Sequence, residues 1–173
     1  KDAKYINSPD TEVYNKSEVL YGLHQAKKAI RGADICYLVE GYTDVISMHQ
    51  RGVENVVASS GTSLTVGQLK LIHRYTENIC FLFDGDAAGI KASLRAIDLA
   101  LEEGLNVYAL QLPEGEDPDT FCKSHDRQEV EDYLVSERKD FIIFKTELLL
   151  PEAENDPVKK TAAVVDIVRS IAL

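Results

Sequence analysis

The sequence predicts an α/β protein, a parallel sheet with helices on both faces followed by a helical appendage. Three observations carry this reading. Four strand-length apolar runs, at 35–39, 53–59, 79–83 and 105–112, are rich in β-branched or aromatic residues. Helical patterns separate them at 43–51, 64–75 and 87–103. After Pro113 the strand-like runs stop, and residues 117–173 read as helices broken near Pro151 and Pro157.

Residues 17–31, "SEVLYGLHQAKKAIR", open the chain's ordered pattern, with Ser17 in an N-cap role and Val19, Leu20, Leu23, Ala26 and Ile30 near helical spacing. Lys27, Lys28 and Arg31 fall at the C-terminal end, where the helix dipole favours cations. The period then changes to the continuous run "ICYLV" at 35–39, "VENVVAS" at 53–59, "ICFLF" at 79–83 and "LNVYALQL" at 105–112. Continuous runs, rather than alternating ones, are what strands buried on both faces require. In the helical pattern 87–103, Ile90, Leu94, Ile97 and Leu101 form a core stripe at i, i+4, i+7 and i+11. Strand alternating with helix implies parallel strands joined by crossovers.

Composition narrows the class. The chain has 173 residues and is 45% hydrophobic, enough for a sizeable core. Its apolar runs fall well short of a membrane span, and no basic-then-apolar leader opens it. Cys36, Cys80 and Cys122 stand far apart, without metal-ligand spacing or a disulfide framework, so a reducing cytoplasm is expected. His24, His49, His73 and His125 are scattered without triad-like partners. The net charge is −10, but residues 1–31 carry six basic against four acidic residues, leaving an acidic body behind a mildly basic arm.

The chemistry-bearing pattern lies at the strand ends. In a parallel sheet, ligands bind beyond the carboxyl ends of the strands. The first strand runs into Glu40-Gly41-Tyr42-Thr43-Asp44, the third into Asp84-Gly85-Asp86-Ala87-Ala88-Gly89, and the fourth into Pro113-Glu114-Gly115-Glu116-Asp117-Pro118-Asp119. The second ends in the hydroxyl and glycine loop "SSGTSLT". Carboxylates gathered at one edge repel one another unless a cation joins them, and hard oxygen ligands with room for water suit Mg²⁺. Gly85 and Gly89 would permit a tight turn and close approach of backbone to phosphate.

A strand ending in Glu-Gly, followed some forty residues later by one ending in Asp-x-Asp, resembles the Toprim fold of primases, topoisomerases, recombination mediators and some nucleases. The stretches "VEGYTDV", "VASSGTSLT", "FDGDAAG" and "LPEGEDPDTF", in that order, resemble the catalytic domain of bacterial replicative primases of the DnaG type. "KYINSPDT" and "LYGLHQAKKAI" resemble the segment before Toprim in that family. The resemblance implies a division into a linker and helix at 1–31, a Toprim domain at 32–123 and a truncated helical subdomain at 124–173. The family's N-terminal zinc-binding domain, the first part of its polymerase domain and its C-terminal helicase-binding domain have no counterpart in the sequence. An excised piece of a longer protein is therefore expected.

The resemblance implies RNA primer synthesis on single-stranded DNA by metal-dependent nucleotidyl transfer from ribonucleoside triphosphates. Glu40, Asp84 and Asp86 match the Toprim acidic set and would be catalytic. Together with Asp44, Asp117 and Asp119 they would hold two or more Mg²⁺ or Mn²⁺ ions, with Asp84, Asp86 and Asp119 favoured as direct ligands; zinc would belong only to the separate N-terminal domain. Glu40 either ligates metal or acts as general base toward the primer 3′-hydroxyl. Lys4, Tyr5, Asn7, Ser8 and Lys16 match positions that contact nucleotide, template or guanine alarmone. The replicative helicase would be reached through the family's C-terminal domain, at the cytoplasmic replication fork and with no membrane. Competing readings are a metal and nucleotide binding module without turnover, another Toprim enzyme such as a nuclease or phage primase-helicase, and a receiver domain. The last requires a lysine after a late strand, which Leu112-Pro113-Glu114 does not offer.

Overall fold

The computed structural model describes residues 10–12, 14–59, 63–85, 87–153 and 156–173, with the side chains of 87–89, 91–93 and 152 outside that description. Five strands, β1 (Cys36–Val39), β2 (Val56–Ala58), β3 (Asn78–Phe83), β4 (Asn106–Gln111) and β5 (Lys139–Asp140), form one sheet in the order β2-β1-β3-β4-β5. The first four are mutually parallel, as expected. β5 pairs antiparallel with β4, Tyr108 opposite Asp140 and Ala109 opposite Lys139. This corrects the expectation that strands end at Pro113: a two-residue polar edge strand carries neither the length nor the apolar run of the other four.

Helices cover both faces. On one side α1 (Leu23–Ala33), α3 (Val66–His73), α4 (Ala87–Glu102) and α7 (Phe141–Glu152) bury Ala26, Ile30, Leu69, Ile72, Ile90, Ile97, Phe141 and Phe144 against Cys36, Leu38, Phe81 and Phe83. On the other, α2 (Tyr42–Gln50), α5 (Pro118–Ser124) and α6 (Arg127–Ser136) bury Val45, Met48, Phe121, Val130 and Leu134 against Tyr37, Val39, Cys80 and Leu82. Successive strand residues alternate between the two cores, which is why the strands read as unbroken apolar runs. The last helix, α8 (Pro157–Ile171), packs on α7.

One local expectation changes. Ser17 is not a helix cap; it lies in a 3₁₀ turn (Lys16–Glu18) whose cap is Asn15, and α1 starts only at Leu23, after Gly22 at φ +82. A Cβ on Gly22 would also meet Val45 Cγ1 at 2.9 Å, so both conformation and space call for glycine there. The helix break expected near Pro151 and Pro157 lies between them. Pro151 sits inside α7 near its end, and the chain leaves the helix at Ala153 before Pro157 opens α8 under the Asp156 cap.

Candidate active site

The strand order places the topological switch point between β1 and β3: the chain leaves β1 toward β2 and then crosses back to β3 on the other side. Clefts for ligands form where connections diverge in this way. Glu40 follows β1 and Asp84 follows β3, so both flank that point, and both are exposed.

Glu40 is followed by Gly41, the extended N-cap of α2. The Gly41 N–H donates to Asp44 Oδ2 at 3.0 Å. A Cβ on Gly41 would stand 2.8 Å from the same oxygen, so glycine makes room for the carboxylate to fold back on the helix start. Asp44 is 9% exposed. Burial lifts its pKa above the ordinary carboxylate value, the Gly41 N–H opposes the rise, and the charges of Asp117, Asp119 and Glu40 add to it. Three acidic positions from two chain segments thus bear on Asp44.

The remaining carboxylates are held by α5. Asp117 is its N-cap, Oδ1 accepting from the Thr120 N–H at 2.7 Å, with Pro118 in the first helical position. Asp119, in the first turn, accepts the Ser47 hydroxyl from α2 and pairs with Lys123 Nζ at 2.6 Å. The same negative field reaches Cys122, whose thiol is pushed up to about 11, chiefly by burial, with Asp119 and Asp44 adding and Arg51 opposing.

Asp84 is carried on a loop locked to the β4–α5 turn. The Gly85 N–H donates to the Glu116 carbonyl at 2.9 Å, and a Cβ on Gly85 would lie 2.1 Å from the Pro113 carbonyl oxygen. Asp84, Gly85, Glu114, Glu116 and Asp117 line a cleft of about 890 Å³, so Asp117 faces the Asp84 cleft while coupling electrostatically to Asp44. Asp86 lies outside the described residues, as do Lys4, Tyr5, Asn7 and Ser8. Lys16 is not in the acidic cleft. It lines a neighbouring hollow of about 370 Å³ with Tyr14, Val19, Tyr21, Tyr42 and Ser59, the last two being residues just beyond β1 and β2.

Sequence reasoning missed Ser47 and Lys123, and it named Glu116 only as part of the acidic run after the fourth strand. Lys123 was readable as an i,i+4 partner of Asp119. Ser47 was not, because its partner is 72 residues away. Among the described residues no three His, Cys, Asp or Glu side chains converge closely enough to hold a metal ion. The donor chemistry nevertheless suits one: the groups are carboxylates, their charges raise Asp44, and Glu116 Oε2 is buried without a hydrogen-bond partner. Mg²⁺ keeps several waters and takes only one or two protein carboxylates alongside phosphates, so a closed protein cage is not needed.

Comparison with known proteins decides the family. Residues 37–122 match the model described as Toprim-like, and residues 1–27 match the DNA primase catalytic core, N-terminal domain. The DNA primase of Aquifex aeolicus is 42% identical over 161 residues, covering 93% of this chain and 31% of that protein. The chain belongs to the bacterial DnaG-type primases. The RNA polymerase domain of Mycobacterium tuberculosis primase DnaG superposes with TM-score 0.86 at 32% identity, over 99% of this chain and 57% of that one. A DnaG primase catalytic domain bound to single-stranded DNA gives TM-score 0.84 at 31% identity, over 99% and 56%. Similarity to primases along almost the whole chain, helical appendage included, disfavours a nuclease, a receiver domain or another Toprim enzyme. The chain spans less than a third of the curated DnaG relatives it matches.

Proposed function

We propose that this chain is the metal-binding half of a primase polymerase core, joining ribonucleoside triphosphates into short RNA primers on a single-stranded DNA template. The observation that carries this is the gathering of Glu40, Asp44, Asp117 and Asp119 beside the Asp84 cleft, at the switch point of a DnaG-type Toprim sheet. The division into 1–31, 32–123 and 124–173 belongs to the same reading, with the third segment lending β5 to the sheet.

Glu40, Asp84, Asp86, Asp117 and Asp119 would hold two or more Mg²⁺ or Mn²⁺ ions, with Asp44 behind them. Bound there, divalent cations supply the neutralisation that lets a triphosphate enter and pyrophosphate leave. The chain's own residues set that site. The Ser47 hydroxyl and Lys123 ammonium hold the Asp119 carboxylate, and the Gly41 N–H holds the Asp44 carboxylate within the field of Asp117, Asp119 and Glu40. Gly85 fixes the loop that carries Asp84. Glu40, exposed at the end of β1, ligates metal or accepts the proton of the primer 3′-hydroxyl. Lys4, Tyr5, Asn7, Ser8 and Lys16 would meet nucleotide, template or guanine alarmone phosphates. Tyr42, two residues after Glu40, lines the Lys16 hollow, which supports a nucleotide path running from that hollow toward the acidic edge.

Replicative helicase is the partner of the longer protein, and the cytoplasmic replication fork its setting; no helix among the described residues is long and apolar enough to cross a membrane. The test is primer synthesis by the parent protein carrying Glu40→Gln or Asp84→Asn. Turnover should fall by at least about a hundredfold, the scale of losing a preorganised electrostatic contact in the transition state. Wild-type turnover in both variants would reject the assignment.

A further inference from the structure

Asp84 stands one residue beyond Phe83, the last residue of β3. Phe83 does not end against its own domain's helices alone. Its ring stacks on Phe144 of α7, centroids 5.8 Å apart and planes at 21°, and on Phe81, two residues back along β3, at 6.2 Å. Both Phe83 and Phe144 are buried. The next residue of α7, Lys145, is 1% exposed, a cation deep in the protein. Its Nζ lies 3.0 Å from Asp166 Oδ2 and donates to Ser170 Oγ at 2.8 Å, both on α8. Ser170 Oγ in turn donates to Asp98 Oδ1 at 2.9 Å, on α4. Phe141, one turn before Lys145, places its ring 5.7 Å from the same Nζ. A buried lysine deprived of these partners would leave an uncompensated charge, so the link is costly to open.

β3 and α4 are the two elements that flank the Asp84-Gly85-Asp86 loop. Adjacent residues of α7 therefore clasp both, Phe144 through β3 and Lys145 through Ser170 and Asp98 of α4. α7 is itself registered on the sheet, because β5 pairs with β4 and its last residue, Asp140, caps α7 by accepting the Ile142 N–H at 2.8 Å. We propose that the C-terminal helical segment is the buttress of the loop that follows β3, with Phe144 and Lys145 as positioning residues that set where the Asp84 carboxylate stands. This rests on the primase reading for its catalytic consequence. It does not depend on it for the mechanical one.

The test separates the two. Hydrogen exchange at the Gly85 amide, whose acceptor is the Glu116 carbonyl, reports the order of the loop without any ligand. In Phe144→Ala and in Lys145→Met this amide should exchange roughly tenfold or more faster, and primer synthesis by the parent protein should lose a similar factor in kcat with KM for nucleotide little changed, as expected when reacting groups are misplaced. Phe144→Leu should restore most of both. Val130→Ala, a truncation in the opposite core beneath α6, serves as a control for general destabilisation and should leave Gly85 exchange near wild type. Unchanged Gly85 exchange in Phe144→Ala, or equal acceleration in Val130→Ala, would overturn the buttress. Faster exchange with undiminished kcat would overturn its catalytic role. A wild-type parent that makes no primer would sink the primase reading while the exchange result still decided the mechanical claim.

Discussion

Gly85 has no space for a side chain: even a methyl group would meet the Pro113 carbonyl oxygen at 2.1 Å, and that oxygen belongs to backbone that cannot swing aside. Gly85→Ala should therefore lower stability by roughly 2–3 kcal/mol, the scale of overpacking a tight site, and should displace Asp84 with it. Thermal melts read the first effect and metal titration the second. Asp44 makes the opposite kind of prediction. Its pKa is raised in the folded protein by burial and by the neighbouring carboxylates, so folding favours its protonated form. Ionising it destabilises the fold, beginning as pH rises through the unfolded-state value of about 3.9 and completing at the raised folded value. Asp44→Asn, which retains an oxygen for the Gly41 N–H, should raise the melting temperature at neutral pH and leave it unchanged near pH 3. Added Mn²⁺ should narrow the difference by stabilising the wild type alone.

At the scale of elements, α5 combines two duties in one short helix. Asp117 caps its N-terminus and also faces the Asp84 cleft. The duties separate by substitution: Asp117→Asn should keep the cap and weaken Mn²⁺ binding, whereas Asp117→Ala should do both harms, losing about 1 kcal/mol of stability. Equal melting temperatures for the two variants would remove the capping role. Lys123 sits on the solvent side of the same helix and competes with any cation for Asp119. Lys123→Met should leave the melting temperature close to wild type and tighten Mn²⁺ binding at low salt, measurable by calorimetry. The elements themselves were largely legible. Strands buried on both faces leave continuous apolar runs, and α4 buries Ile90 and Ile97 as its stripe predicts. What escaped notice has local causes: β5 is two polar residues long, and the Asn15 cap makes a 3₁₀ turn where Ser17 looked like a helix start.

The whole molecule turns on strand order. Parallel strands put every carboxyl end on one edge, and the crossing from β2 past β1 to β3 opens that edge between Glu40 and Asp84. This much followed from acidic residues after three of the four parallel strands. The side-chain partnerships did not follow, since Ser47 with Asp119 and Ser170 with Asp98 each join residues 72 apart, and no periodicity encodes such a contact. Nor did the sequence reveal how far the helical segment enters the body, where Phe144 joins the core beside Phe83, the residue before Asp84. The most direct measurement is calorimetric titration of GTP into this chain with and without Mn²⁺, beside the Asp84→Asn/Asp86→Asn double variant. Metal-dependent GTP binding that the variant loses is the predicted result. Binding of equal strength in the variant, or binding indifferent to metal, would contradict the assignment of the acidic edge as the nucleotide-transfer site.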